Sequence, residues 1–297
     1  MKKSLSHLPQ EKREELKAIV NNILLEVPET QVIILYGSYA RGNHVEYDQR
    51  TEYRVRTFFK SDYDIAVITE KSEHNHILSR LERVAEAFSK GRYYTNITPI
   101  QFITENIDNF NQSIVEGRYF HTDIRTEGIQ LYNSGKYKIA RKRKLNFTEI
   151  HNLAQEYYEQ RFERASSFVR SATHAYNDKD YKTAAFLLHQ ATENYLCAIL
   201  LTGELYCPKE HSIMRLFSHT KRVTRETLEV FHSDTKDEER LLLLLEDAYI
   251  QARYNPDFEV KPDDIFLLFQ RIKHLTEIAE KFCSERIEDY AKRIKKT

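Results

Sequence analysis

The chain has 297 residues, more than one ordinary domain holds and a comfortable length for two domains of about 150 residues each. Its 45 basic and 45 acidic residues cancel, which excludes a globally basic nucleic-acid coat and a strongly acidic tail, but not a local charged patch. Hydrophobic residues make up 41% of the chain, enough for real cores, and the small numbers of glycines and prolines, 7 and 6, favour long uninterrupted helices.

Neither the cysteines nor the N-terminus follow the patterns of a secreted protein. Cys197, Cys207 and Cys283 are widely spaced and form no C-x-x-C pair, so we predict neither a disulfide framework nor a zinc site. The two N-terminal lysines are not followed by an apolar segment, so no signal peptide is predicted. Apolar runs such as 241–245 are far shorter than the roughly 20 residues that span a bilayer. We therefore expect a cytoplasmic protein with no membrane partner.

The first half of the chain alternates helical and strand patterns. In chain order, the predicted elements are a helix at 9–26, a strand at 31–36, a strand or hairpin at 51–60, a strand at 64–69, a helix at 73–90 and a strand at 96–104. Pro99 cannot donate a ladder hydrogen bond, which predicts an edge or bulge position for the last strand. We therefore predict an α/β domain over 1–137, with a mixed sheet and flanking helices.

From about residue 146 the pattern becomes helical throughout. Helices are predicted at 146–177, 181–202, 223–232, 237–254 and 263–295. With no strand pattern left, residues 146–297 are predicted to form an all-α antiparallel bundle. The segment 138–145 between the halves contains the basic run 141–144. We interpret it as a solvated linker in preference to a nucleic-acid patch, and binding of nucleic acid stays open.

The most informative motif of the first half directly follows the strand at 31–36. The strand ends at Gly37, where the missing side chain permits close approach of a ligand to the main chain. Ser38 then begins a helix, so free N–H groups and a hydroxyl point outward together, a combination suited to a phosphate. Arg41 and Gly42 follow one turn later. The pattern predicts an anion site built on Gly37 and Ser38.

Two carboxylates, Asp62 and Asp64, stand two residues apart at the start of the strand at 64–69. Side chains at this spacing lie on one face of a strand, and two carboxylates held side by side repel each other unless a cation lies between them. Hard oxygen ligands of this kind favour Mg²⁺, which binds through a few carboxylates together with substrate phosphates. A phosphate site and a Mg²⁺ pair on adjacent strands predict phosphoryl or nucleotidyl transfer.

The segments 37–42 (GSYARG) and 61–67 (SDYDIAV) resemble the signature of the polymerase-beta-type nucleotidyltransferase superfamily, in particular its minimal members. The resemblance covers about residues 10–135. It implies that Gly37 and Ser38 hold the triphosphate of an NTP, with ATP as the expected substrate.

By the same resemblance, Asp62 and Asp64 are the catalytic residues that carry Mg²⁺. Arg41 is implied to support the phosphate loop or the helix behind it. The implied reaction moves a nucleoside monophosphate from the NTP to a hydroxyl group, with pyrophosphate leaving.

The sequence departs from the pattern of this superfamily in two places. An extra hairpin-like stretch, 45–60, separates the glycine–serine pair from the aspartates, and its role is not assigned. The third carboxylate of the superfamily belongs on a later strand, and the matching strand at 96–102 contains no acid. Thr98 or Gln101 takes the position, and Glu105 lies just beyond it. Because that carboxylate helps to activate the attacking hydroxyl, nucleotide binding is expected to be less affected than catalysis.

Segments 189–193, 195–201 and 208–213 resemble the HEPN domain, which is commonly found beside minimal nucleotidyltransferases. HEPN ribonucleases carry an arginine and, shortly after it, a histidine. Arg253 matches the arginine, but no histidine follows it, so we predict no cleavage of RNA. Arg253 binds either a phosphate or nucleotide, or only the end of a helix that Pro256 stops; both readings stay open.

Two functions from different classes follow. The first is a Mg²⁺-dependent nucleotidyltransferase whose acceptor is a small molecule or a protein tyrosine, with the HEPN-like bundle helping to bind nucleotide or acceptor. The second is a degenerate nucleotide-binding or regulatory module related to toxin–antitoxin pairs of the two domains. Under either function, two copies of the chain could associate through the helical bundle.

Overall fold

The computed structural model describes residues 1–46, 48–52, 55–70, 74–90, 97–208, 211–231 and 236–295. The chain divides into two compact units, an N-terminal unit of residues 1–144 and a C-terminal unit of residues 145–297. Within the described ranges, no helix combines the length and the apolar character needed to cross a bilayer.

The N-terminal unit alternates helices and strands. Its elements are α1 (Gln10–Glu26), β1 (Thr30–Tyr36), α2 (Gly37–Arg41), β2 (Asp48–Glu52), β3 (Val55–Phe59), β4 (Tyr63–Thr69), α3 (His74–Ser89), β5 (Ile100–Asn106), α4 (Ile107–Val115), α5 (Tyr119–Glu127) and β6 (Ile129–Asn133). Four strands form a sheet in the order β5-β4-β1-β6, and β2 pairs with β3 separately. In the sheet, β4 runs parallel to β5 and antiparallel to β1, so the sheet is mixed.

The two faces of this sheet are covered by different helices. Along β4, Ile65 and Val67 join the core formed with α1 and α3, whereas Ala66 and Ile68 join the core formed with α4 and α5. The central strand β1 is buried along its whole length, as expected for a strand covered on both faces. The predicted mixed sheet with flanking helices is therefore confirmed.

The structure also contains elements that the sequence did not predict. The helices α4 and α5 have nine residues each and β6 has five, so a periodic pattern has little length in which to appear. The edge position predicted for the strand that carries Pro99 is confirmed, since β5 lies at the edge of the sheet and begins just after this proline. Residue 96, the predicted start of that strand, lies outside the described residues.

The C-terminal unit is helical over its described residues. Its elements are α6 (Phe147–Asn177), α7 (Tyr181–Glu204), α8 (Ile213–Thr220), a 3₁₀ turn (Glu226–Glu229), α9 (Lys236–Tyr254) and α10 (Pro262–Ile294). The helix α7 packs against all four of the other α-helices and is buried over most of its length. At the start of α6, the side chains of Asn146 and Glu149 each bond the other residue's main-chain N–H, a capping box that fixes the first turn. The predicted helical bundle is confirmed.

One predicted helix of this unit is wrong. Residues 223–232 contain only the 3₁₀ turn, and residue 232 lies outside the described ranges. The helix lies earlier, at α8, where the Ser212 hydroxyl accepts a hydrogen bond from the main-chain N–H of Arg215 and so caps the first turn. After α8 the chain folds back on itself, and the buried hydroxyls of Thr220 and Thr227 hold this turn by a hydrogen bond of 2.9 Å.

Candidate nucleotide site

Gly37 stands at the junction of β1 and α2 and has a φ of +72°, in the left-handed region that favours glycine. A Cβ atom built on it would lie 1.9 Å from Oδ2 of Asp64. The reason is the sheet register, in which Asp64 pairs with Tyr36, the residue just before the glycine. Because Gly37 has no side chain, the Asp64 carboxylate can pack directly against the main chain at this position.

Asp62 and Asp64 are both half-buried beside this junction. Tyr36 is buried, and its pKa is raised first by burial, then by the negative charges of Asp64 and Asp62. Both carboxylates thus lie near one hydroxyl at the end of β1. That hydroxyl keeps its proton at neutral pH and can act as a hydrogen-bond donor.

Tyr63, between the two aspartates, points to the opposite face of the sheet. Its ring is fully buried, and its hydroxyl donates a hydrogen bond of 2.8 Å to Oε2 of Glu15 on α1. This alternation presents the two carboxylates on the face of the sheet that α4 and α5 partly cover.

The two other residues predicted on the phosphate side lie on α2. Ser38 is half-buried and its carbonyl accepts bonds from the N–H groups of Gly42 and Asn43, at 3.0 and 3.2 Å, which close the short helix. Arg41 is paired with Glu127 of α5 at 3.4 Å, and both side chains are more than a third exposed. Such an exposed pair contributes little stability, and its effect is to link α2 with α5.

The neighbouring strand β5 supplies no carboxylate beside the aspartates. Gln101 is the register partner of Asp64 in the parallel β4–β5 pair and so lies on the same face. Thr98 is fully buried ahead of the strand. Glu105 lies four residues beyond Gln101, about 13 Å along the strand, and is paired with His121 at 2.9 Å. Among the residues described, no cluster of three or more histidines, cysteines or acids is arranged to hold a metal ion.

In the C-terminal unit, three side chains gather around the ring of Tyr249 on α9. The rings of His189 from α7 and of His211, which precedes α8, stack on it with centroid distances of 5.0 and 4.9 Å. The guanidinium carbon of Arg253 lies 4.2 Å from the centroid of the same ring. We call these four residues the Tyr249 cluster.

The histidines of the Tyr249 cluster differ in exposure. His189 is fully buried, and burial lowers its pKa to about 4 against the smaller opposing effect of Glu193, so this imidazole is neutral near pH 7. Its Nε2 has no hydrogen-bond partner within the described part of the chain. The side chain of His211 is 63% exposed, and its Nδ1 lies 3.1 Å from Oε2 of Glu193.

Arg253 is exposed at the end of α9, and its Nε donates a 2.6 Å bond to the carbonyl of Tyr249 one turn earlier. Its guanidinium also lies 5.0 Å from the ring of Tyr254 and 5.5 Å from that of Phe186. The helix-end role considered for this arginine is therefore observed, while the planar group stays at the surface on an aromatic platform. Sequence reasoning identified Arg253 and considered His189 and His211 as substitutes for the missing base, but it did not predict that both rings stack on Tyr249 beside the arginine.

A bundle of long helices around a buried central helix defines the class of the C-terminal unit. A family model described as HEPN domain matches residues 158–290. The C-terminal unit therefore contains a HEPN domain, and this part of the predicted resemblance is confirmed. No family match covers the N-terminal unit. The search of curated proteins gave no match to the chain.

Proposed function

We propose that this protein is a Mg²⁺-dependent nucleotidyltransferase that moves a nucleoside monophosphate from an NTP, ATP being the expected one, to a hydroxyl acceptor. The observation that supports this most is the placement of Asp62 and Asp64 beside the junction of β1 and α2. Carboxylates next to the glycine and serine of a strand–helix junction join a cation site to a phosphate site. The acceptor is a small molecule or a protein tyrosine.

The donor set of this site fits Mg²⁺ but is incomplete for it. Two half-buried carboxylates, Asp62 and Asp64, offer hard oxygen ligands, and Mg²⁺ ordinarily takes the rest of its ligands from phosphates and water. When bound, Mg²⁺ would neutralise the triphosphate and align it for in-line attack, with pyrophosphate leaving.

The other residues of the site act on the nucleotide by their own chemistry. Gly37 leaves the main chain open to a phosphate, and the Ser38 hydroxyl donates a hydrogen bond to a phosphate oxygen. The Tyr36 hydroxyl, whose pKa is raised by burial and by the two carboxylates, supplies a second neutral donor. Arg41, already paired with Glu127, holds α2 in place.

The residue beside Asp64 on β5 favours the alternative function. An amide such as Gln101 cannot take a proton from the acceptor hydroxyl, as a third carboxylate would. A chain with glutamine in place of the third carboxylate keeps the groups that bind nucleotide and Mg²⁺ but lacks the general base. The second candidate is therefore a nucleotide-binding or regulatory module, related to the paired domains of toxin–antitoxin systems.

The C-terminal unit is proposed to help to bind nucleotide or acceptor through the exposed guanidinium of Arg253. We propose no ribonuclease activity for it, although the Tyr249 cluster brings two histidines to this arginine. His189 is fully buried, so its ring cannot contact an RNA chain, and with a pKa of about 4 its imidazole is not in the protonated form that acts as a general acid near pH 7. Association of two copies through the helical bundle is likewise a proposal.

The test is incubation of the full chain with each labelled NTP and Mg²⁺, with pyrophosphate and labelled product as readouts. The double variant Asp62→Asn with Asp64→Asn should abolish both signals. The variant Asp108→Asn, an exposed carboxylate of the same unit, should leave them unchanged. Nucleotide binding without pyrophosphate release would select the regulatory module, and no Mg²⁺-dependent nucleotide binding at all would refute both functions.

A further inference from the structure

The two cysteines at the end of α7 lie unusually close together. The sulfur atoms of Cys197 and Cys207 are 2.8 Å apart, inside the contact distance of two unbonded sulfurs and within about 1 Å of the 2.05 Å disulfide bond. Both are free thiols, and both are at least 95% buried. Their separation of ten residues gave no sign of this in the sequence, since the pair follows no recognised spacing.

The main chain around the pair is rigid on one side and irregular on the other. Cys197 lies within α7, whereas Cys207 follows the end of that helix, where Leu205 adopts a φ of +52°. A single residue in this left-handed conformation turns the chain back towards the helix, which carries the second sulfur over the first. The non-helical side can make the small adjustment that a covalent bond requires without disturbing α7.

We propose that Cys197 and Cys207 form a reversible intramolecular disulfide by exchange with a low-molecular-weight disulfide such as oxidised glutathione. One protein thiolate attacks a glutathione sulfur and releases one glutathione thiolate, leaving a mixed disulfide. The second protein thiolate then attacks the mixed disulfide at the protein sulfur and releases the second glutathione. Two protein thiols are oxidised and one glutathione disulfide is reduced to two thiols.

Local opening of the segment after α7 controls the rate of this exchange. The contact with Cys197, and after it burial, raise the pKa of the Cys207 thiol, so little thiolate is present while the segment is closed. The segment leads to His211 of the Tyr249 cluster, four residues beyond Cys207. A disulfide would therefore tie the backbone near His211 to α7. This consequence does not depend on nucleotidyl transfer.

The test is to equilibrate the full chain in glutathione buffers from fully reduced to strongly oxidising. After acid quenching and denaturation, free thiols are counted and the intact mass is measured. The chain has 3 cysteines, so intramolecular oxidation should lower the thiol count from 3 to 1 with the loss of two hydrogens. Peptide mapping should then find residues 197 and 207 linked, and amide hydrogen exchange of residues 205–207 should slow.

Two variants separate this pair from the remaining cysteine. Cys283→Ser should still lose two thiols on oxidation, whereas Cys207→Ser should lose none to an internal bond. Retention of all 3 thiols by the parent under strongly oxidising conditions would overturn the proposal. So would a product in which Cys283 is a partner, or one that only carries added glutathione. The thiol count, intact mass and peptide map of the parent decide together, even if Cys207→Ser fails to fold.

Discussion

Substitution of Gly37 by alanine tests whether the glycine makes room for the Asp64 carboxylate. An L-residue at a φ of +72° costs about 1–2 kcal/mol. The new Cβ would also lie 1.9 Å from Oδ2 of Asp64, so the carboxylate must move by more than about 1 Å, which adds about 1–3 kcal/mol as overpacking does elsewhere. We expect the free energy of unfolding to fall by about 2–5 kcal/mol, with loss of Mg²⁺-dependent nucleotide binding.

Gly135→Ala provides the matched control within the same unit. Gly135 has a φ of +81°, and a Cβ there meets nothing within 4 Å, so only the backbone cost of about 1–2 kcal/mol applies. Chemical denaturation followed by circular dichroism gives the two unfolding free energies, and calorimetry with ATP and Mg²⁺ gives binding. Equal destabilisation by the two variants, with binding retained in both, would refute the close packing of Asp64 on Gly37.

Two further predictions concern the C-terminal unit. Lys179 is exposed with a φ of +62°, so Lys179→Gly should raise the free energy of unfolding by about 1 kcal/mol. The control Lys273→Gly, at an exposed position in the middle of α10, should lower it by about as much. Denaturation curves of the two variants that shift in the same direction would contradict this. His189 has a folded-state pKa of about 4, below its ordinary value near 6.5. The burial of its neutral form therefore stabilises the fold fully above pH 6.5, and the free energy of unfolding falls by about 3 kcal/mol as the pH drops from there to 4. In denaturation series from pH 7 to pH 4, His189→Gln should lose stability less steeply than the parent, and parallel curves would contradict the assignment.

The sequence predicted the central part of the N-terminal unit because its pattern is continuous. The strands β1 and β4 are apolar and β-branched on both faces, and both faces are covered by helices. The shared face of Asp62 and Asp64 follows from strand alternation alone. By contrast, α4, α5 and β6 were not predicted, since two turns of helix or five residues of strand leave the periodicity weak.

The Tyr249 cluster could not be predicted from sequence spacing. Its members come from α7, from the segment before α8 and from α9, so the packing of helices brings together residues up to 64 positions apart, from His189 to Arg253. A local signal did exist in the spacing of four between Tyr249 and Arg253, which lie one turn apart on a helix. Nothing in the sequence indicates which histidines meet that pair, because the spacing of His189 and Glu193 fits a polar pair one turn apart on a helix.

The alternation of Asp62, Tyr63 and Asp64 along the chain bears on which strand register the sheet adopts. Slippage of β4 by one residue would move every side chain to the opposite face, turning Asp62 and Asp64 towards the apolar core and the Tyr63 ring away from it. Two unpaired carboxylates in that core would cost far more than the correct arrangement. The two aspartates thus carry the proposed chemistry and also penalise the misaligned sheet, so that a variant without the two charges loses a penalty against misfolding together with its proposed metal ligands.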